Sequence, residues 1–102
     1  MNWNRRLSEL ELRALCCFVM DKNNKCKVVY EKNDSTYMNG EGLTQTLYVY
    51  GNSNEYVFVA KQKGYIINAL HIASDEIEEF LNYWNQGMLS STGHLKNEGK
   101  KF

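Results

Sequence analysis

The chain has 102 residues, with twelve basic and twelve acidic side chains and a formal net charge of zero. A chain of this length forms one domain and buries about two thirds of its unfolded surface. The balanced charge offers no long-range attraction to nucleic acid or to an anionic membrane surface.

The apolar and cysteine content indicates the cellular compartment in which the protein works. The longest apolar stretch, residues 14–20, is far shorter than the roughly 20 residues that span a bilayer. Residues 1–13 do not have the uninterrupted apolar core of a signal peptide. The three cysteines are an odd number, and two of them are adjacent, which argues against a disulfide framework. We therefore expect a cytoplasmic protein with no membrane partner.

The first predicted element is a short helix over residues 5–13, where leucine, glutamate and arginine dominate. Ser8 and Glu11 have the spacing of a capping box, in which each side chain binds the backbone N–H of the other residue. Apolar residues continue at steps of three and four as far as Met20, so one interpretation extends the helix to that residue.

A second interpretation, which we favour, ends the helix earlier. It makes residues 15–20 a strand that turns through residues 21–25 into another strand at residues 27–31. The reason is that the apolar residues 28–30 of the second strand require a paired neighbour, and residues 15–20 are the nearest one. Residues 32–44 then form a long loop, rich in asparagine and glycine, which is a candidate binding loop.

The clearest pattern is a hairpin over residues 46–61, in which two alternating runs flank a polar turn at residues 51–55. This turn predicts one aromatic and one aliphatic face. The aromatic pairs are Tyr50 with Tyr56 and Tyr48 with Phe58. The aliphatic face carries Leu47, Val49, Val57 and Val59. The aromatic face is either covered by the N-terminal helix or left open for a partner.

The last elements follow a tight turn at residues 62–64. Residues 65–72 are typical of a strand, and a helix is predicted from Ser74 or Asp75 to Gln86, because four acidic residues stand where a helix N-terminus favours negative charge. Its apolar stripe is expected to cover the aliphatic face of the hairpin. The stripe consists of Ile77, Phe80, Leu81, Trp84 and Met88, and Gly87 is the expected stop.

These elements predict an α+β fold with a single small domain over residues 1–89. An antiparallel sheet of four to five strands is flanked by an N-terminal and a C-terminal helix. Residues 90–102 are polar and rich in glycine, and we expect them to be a weakly ordered tail, because they bury too little apolar surface to offset the entropy of ordering.

No catalytic motif is apparent in the sequence. His71 and His94 are the two histidines, and only His71 lies near acidic residues, so an acid/base role would depend on Asp75 or Glu76. The cysteines do not have the paired spacing of a zinc site. We expect no enzymatic activity, no cofactor and no metal.

A protein-binding role is therefore the leading hypothesis. In size and chemistry the chain resembles compact bacterial or phage proteins that occlude another protein, such as toxin-immunity or anti-defence inhibitors, although no specific motif carries this resemblance. The partner is expected to be another protein, with a nucleic-acid-handling enzyme as one candidate. The predicted contact residues are Tyr37, Tyr48, Tyr50, Tyr56, Phe58, Asp75, Glu76, Glu78 and Glu79.

Two other uses of the same surface stay open. A homodimer would bury the aromatic face or an uncovered edge strand against a second copy. A small ligand or a single nucleic-acid strand would stack on the aromatic side chains, although the expected basic rim is missing from the sequence.

Overall fold

A computed structural model of the chain describes residues 3, 7–21, 26–50 and 55–96, without the side chains of Asn39 and Tyr50. It contains a four-stranded antiparallel sheet with a helix on each face, which confirms the predicted α+β fold. The helices are α1 (Glu9–Met20), α2 (Tyr37–Gly40) and α3 (Ile77–Asn85). The strands, in their spatial order, are β1 (Cys26–Asp34), β2 (Leu43–Tyr50), β3 (Tyr56–Gln62) and β4 (Tyr65–Ile72).

Helix α1 begins with the predicted capping box. The Ser8 hydroxyl accepts from the Glu11 backbone N–H at 3.2 Å, and the Glu11 carboxylate accepts from the Ser8 N–H at 2.9 Å. The helix then continues to Met20, so the favoured interpretation of residues 15–20 as a strand is wrong. The reason is the helical spacing of its apolar residues, which places them on one face against β3 and β4. That face consists of Leu12, Leu15, Cys16, Phe18 and Val19.

Strand β1 pairs with β2, and the connection between these strands is shorter than predicted. Asp34 lies opposite Leu43 in the β1–β2 ladder, so both ends of the expected loop over residues 32–44 belong to strands. The Asp34 carboxylate accepts from the N–H and the hydroxyl of Thr36 at 3.0 and 2.8 Å, and α2 fills the rest of the connection. Of the predicted turn at residues 21–25, residues 22–25 lie outside the described residues.

The register of β2 and β3 differs from the predicted one by one residue. Tyr48 lies opposite Val57, and Leu47 lies opposite Phe58. Because side chains alternate along a strand, this shift moves one strand's side chains to the other face of the sheet. Each face therefore mixes aromatic and aliphatic residues, and the predicted division into an aromatic and an aliphatic face is wrong. The predicted turn residues 51–54 lie outside the described residues.

The turn between β3 and β4 confirms the prediction made from residues 62–64. Gln62 lies opposite Tyr65, which leaves Lys63 and Gly64 as a two-residue turn. Both have a positive φ, 53° and 81°, as the type I′ turn that joins twisted strands requires.

Helix α3 packs on the sheet through most of its predicted stripe. Phe80 and Trp84 are buried, with Ile77 and Leu81 packed beside them, whereas Met88 is exposed. The helix ends in a Schellman motif, in which the N–H groups of residues 87 and 88 bind the carbonyls of residues 84 and 83 at 3.1 and 2.9 Å. Gly87 takes the required positive φ of 73°.

Residues 88–96, which we call the C-terminal segment, pack beside α3 on the same face of the sheet. Leu89 bridges to Leu95, and Leu89 is buried. The Gln45 amide donates to the Ser91 carbonyl at 3.1 Å, and the Asn68 amide donates to the Thr92 carbonyl at 2.8 Å. A weakly ordered tail over residues 90–102 was expected from the low apolar content of this stretch alone. Of that stretch, residues 97–102 lie outside the described residues.

Two cores hold the three layers together. The larger core lies between the sheet and α3, and the fully buried Phe58 contacts Phe80 and Trp84 there with ring centroids 5.4 Å apart in both pairs. Burying a side chain of this size contributes roughly 1.5–3 kcal/mol. The smaller core lies under α1 and contains Val57 and Val59. No helix in the described part of the chain is long and apolar enough to cross a membrane.

Candidate functional site

The aromatic residues predicted to bind a partner do not share one surface. Phe58 is completely buried under α3, and Tyr56 is half-buried on the same side. Tyr48 is half-buried on the α1 side. Tyr50 belongs to β2, but its side chain lies outside the described part of the structure. The monomer therefore uses Phe58 as core, and the expected stacking surface is not present in the predicted form.

The remaining predicted residues lie at opposite ends of the sheet. Tyr37 follows β1 and packs, half-buried, on the larger core near Leu43. The four acidic residues follow the far end of β4, at the start of α3. Among these acidic residues, Asp75, Glu78 and Glu79 are exposed. The structure thus keeps the acidic residues together and separates them from Tyr37.

The titratable groups that suggested chemistry are placed differently from the prediction. His71 Nε2 contacts the Glu55 carboxylate, instead of Asp75 or Glu76, and the two side chains are about half exposed. His94 lies in the C-terminal segment, where its Nδ1 contacts the Thr92 hydroxyl at 3.2 Å.

The environment of the cysteines disfavours a nucleophilic role. Burial raises the pKa of the Cys16 thiol, with a further contribution from the neighbouring Cys17, and burial also raises the pKa of Cys26. A raised pKa leaves less of the reactive thiolate at neutral pH. Within the described residues, no group of three or more His, Cys, Asp or Glu side chains is placed to hold a metal ion.

The two edge strands of the sheet differ in how deeply they are buried, although no described segment pairs with the outer side of either. At one edge, β4 contacts α1 and contains the buried residues Ala69, Leu70 and Ile72. At the other edge, β1 has no buried residue, and no described segment pairs with its outer side. Three large apolar side chains in its middle are exposed: Val28 by 58%, Val29 by 47% and Tyr30 by 37%. An exposed apolar edge strand is a template for pairing with another chain.

A β-bulge interrupts this edge. Val28 lies opposite Tyr48 and Tyr30 lies opposite Leu47, so Val29 is the additional residue. Bulges and lysine side chains are the means by which proteins limit indiscriminate pairing at an edge, and β1 also carries Lys27 and Lys32. Beyond the bulge, the regular ladder runs from Tyr30 to Asp34 and offers a short, defined stretch of backbone for pairing.

Beside this stretch, β1 and α3 enclose a groove. Its volume is about 330 Å³, and it is lined by Val29, Tyr30, Leu81 and Asn85. The Tyr30 ring meets Trp84 edge-on with centroids 4.9 Å apart. The Lys32 ammonium donates to the Trp84 carbonyl at 3.1 Å and lies 5.4 Å from the Trp84 ring centroid. These contacts fix the groove wall before any partner arrives, which lowers the entropic cost of binding.

A larger groove of about 500 Å³ lies between the end of β1 and the C-terminal segment. Several of its polar side chains already form hydrogen bonds with neighbouring groups. The Asp34 carboxylate binds Thr36, the Asn33 amide oxygen accepts from Thr44 at 2.8 Å, and Gln45 binds both Trp84 and Ser91. A ligand here would have to replace these bonds, so the outer edge of β1 is the better candidate site.

Comparisons with protein-family models, with curated proteins and with solved structures found no match to this chain. Surface geometry is therefore the available guide to function. One sequence signal pointed to the edge: the apolar run at residues 28–30 is flanked by Lys27, Glu31 and Lys32, which is typical of an edge strand.

Proposed function

We propose that this chain is a non-catalytic protein-binding module that pairs the outer edge of β1 with an extended segment of a partner protein. The observation that carries the proposal is the exposure of Val28, Val29 and Tyr30 at an edge with no described neighbour. Strand addition of this kind obtains affinity from backbone hydrogen bonds and specificity from pockets for alternate side chains. The groove between β1 and α3 supplies such a pocket.

The proposal includes an inhibitor-type role of the immunity or anti-defence class, in which the bound module occludes its partner. A small chain with balanced charge suits this role, because it gains specificity from shape without attracting nucleic acid. We also propose a cytoplasmic location, because Cys17 is an exposed free thiol. Stacking of a nucleic-acid strand on the sheet has less support, because Phe58 is buried and Tyr48 lies on the other face.

We also propose that the acidic residues at the start of α3 attract a partner with a basic groove and so increase the association rate. Replacing Glu76 and Glu79 together with lysine should slow association at low ionic strength and should matter less at high salt, where such charges are screened. An association rate that does not change at low salt would remove this surface from the binding site.

The test of β1 uses peptides selected from a random library for binding to the purified protein. Binding should raise the hydrogen-exchange protection of β1 amides, because strand addition gives its outward N–H groups acceptors. A Val29→Lys variant should lose most of this binding, because it places a charge in the groove. Leu10→Lys on α1 is the matched control, since Leu10 is exposed by 77% and lies on the other face of the sheet.

The selection has two outcomes that would refute β1 as the site. Selected peptides that bind Val29→Lys as tightly as the wild type would place the contact elsewhere. Binding without new protection of β1 amides would exclude strand addition. Circular dichroism of each variant establishes that the fold is retained.

A further inference from the structure

In the regular part of β1, beyond the bulge, the acidic Glu31 and the basic Lys32 have their side chains on opposite faces of the sheet. Residues that lie directly opposite each other in a ladder share a face. Tyr30 and Lys32 lie opposite Leu47 and Gln45 and so belong to the α3 side. Glu31 lies opposite Thr46, on the α1 side, and accepts from the Thr46 hydroxyl at 3.0 Å.

A strand added at this edge would lie about 4.8 Å from β1 and meet these side chains in turn. The residue opposite Tyr30 would enter the groove beside Leu81, where an apolar side chain is favoured. The residue opposite Glu31 would be favoured if it is basic, and the residue opposite Lys32 would be favoured if it is acidic. An antiparallel arrangement continues the pattern of the whole sheet.

The same alternation disfavours a second copy of this chain in the two registers that place Lys32 or Asp34 opposite Tyr30. A register centred on Asn33 pairs Lys32 with Asp34 but leaves Tyr30 and the groove without a β1 residue opposite them, and a register centred on Tyr30 runs across the bulge in both copies. If two copies pair their β1 strands antiparallel about a two-fold axis and so continue the sheet, residues directly opposite each other must have their side chains on the same face of the sheet. A register that pairs Tyr30 with Lys32 places Glu31 opposite its own copy. A register that pairs Tyr30 with Asp34 places Lys32 opposite its own copy. Like charges directly opposite each other destabilise a ladder.

We infer that β1 recognises an extended segment of a different protein in which an acidic, a basic and an apolar residue follow one another from the N- to the C-terminus. This inference rests on the proposed function and specifies the chemistry of its partner. The acidic residue pairs with Lys32, the basic residue with Glu31, and the apolar residue fills the groove between Tyr30 and Leu81.

The test compares two labelled peptides of identical composition by fluorescence anisotropy. The first reads Thr-Thr-Glu-Lys-Ile-Thr, and the second exchanges its two charged residues to read Thr-Thr-Lys-Glu-Ile-Thr. The wild-type protein should bind the first peptide ~5-fold or more tightly, since two cross-strand pairs change from opposite to like charge. A double variant, Glu31→Lys with Lys32→Glu, should reverse this preference. Peptides N-methylated on alternate amides should bind neither protein.

The outcomes separate this inference from the proposed function. Equal affinity for the two peptides, with β1 amides protected, would overturn the charge order and leave strand addition intact. Binding without protection of β1 would overturn the proposed function as well. No binding of either peptide at millimolar concentration would overturn the inference. The library selection would then still test whether β1 is the binding site. A wild-type protein that light scattering finds to be a dimer through β1 would overturn the choice of a different protein as partner.

Discussion

Gly93 offers the sharpest test of how the C-terminal segment is held. Its φ is +91°, and a Cβ at this position would lie 2.7 Å from Phe58 and 2.8 Å from Leu70, both of which are buried. Gly93→Ala therefore incurs two costs. The left-handed backbone costs an L-residue roughly 1–2 kcal/mol, and forcing a methyl group into a packed core costs roughly 1–3 kcal/mol. We expect the free energy of unfolding to fall by about 2–5 kcal/mol, a large share of the about 5–15 kcal/mol typical of a domain.

Gly40 supplies the matched control for this substitution. Its φ of +96° is nearly the same, but apart from its chain neighbours and the backbone of its own helix no described atom lies within 4 Å of a Cβ built there. Gly40→Ala should therefore show the backbone cost alone, about 1–2 kcal/mol. Urea unfolding followed by circular dichroism measures both variants, and the midpoint for Gly93→Ala should fall by roughly 1–2 M. If the two substitutions had equal effects, the C-terminal segment would not pack against Phe58 and Leu70 as described.

Three further predictions concern stability. Ser8→Ala should cost ~1 kcal/mol in urea unfolding through loss of the capping box, and Ser8→Asp should retain most of that stability. Gln45→Leu should cost about 1–3 kcal/mol in the same assay, because it removes the acceptor 3.1 Å from the buried Trp84 indole N–H; an effect within error would refute this role. Burial raises the pKa of Tyr48, so the native state holds this proton more tightly than the unfolded chain, and stability that is complete below pH ~10 should fall as the pH rises further. Unfolding measured against pH should lose part of this fall in Tyr48→Phe, and an unchanged pH dependence would refute this role of Tyr48.

The features that sequence alone predicted correctly are those that a few neighbouring residues determine. The capping box at Ser8 and the stop at Gly87 depend on backbone groups within one helical turn. The turn at Lys63 and Gly64 depends on two adjacent positive φ angles. The α3 stripe follows from helical periodicity, and only Met88, beyond the helix end, departs from it.

The register of the central hairpin was not predictable in the same way. Alternation along β2 and β3 establishes that each strand has two faces, but it does not say which faces coincide. The predicted register joined Tyr48 to Phe58 and so collected four aromatic rings on one side. In the structure, Phe58 instead lies opposite Leu47 and Leu70 on its two neighbouring strands, where α3 covers all three. Contacts with residues far along the chain decide this register.

The contacts of the C-terminal segment were not predicted from the sequence for a different reason. Its hydrogen bonds come from side chains in the sheet, Gln45 and Asn68, which bind its carbonyl groups. Gly93 contributes by having no side chain, which lets the backbone approach the buried rings. Neither property appears as apolar content in residues 88–96, so composition alone does not predict these contacts.

The conformation of residues 15–20 decides which part of the sheet is exposed. A strand there would have covered β1 and left the hairpin's aromatic face as the main open surface. A helix there turns the same apolar residues toward β3 and β4, which closes the α1 side of the sheet. The outer side of β1 then has no described neighbour, and Val28, Val29 and Tyr30 become exposed without any change in their own pairing preference. The helix over residues 15–20 thus leaves a sheet edge as the candidate site, where the proposed binding depends on backbone pairing and on the order of charges along the partner.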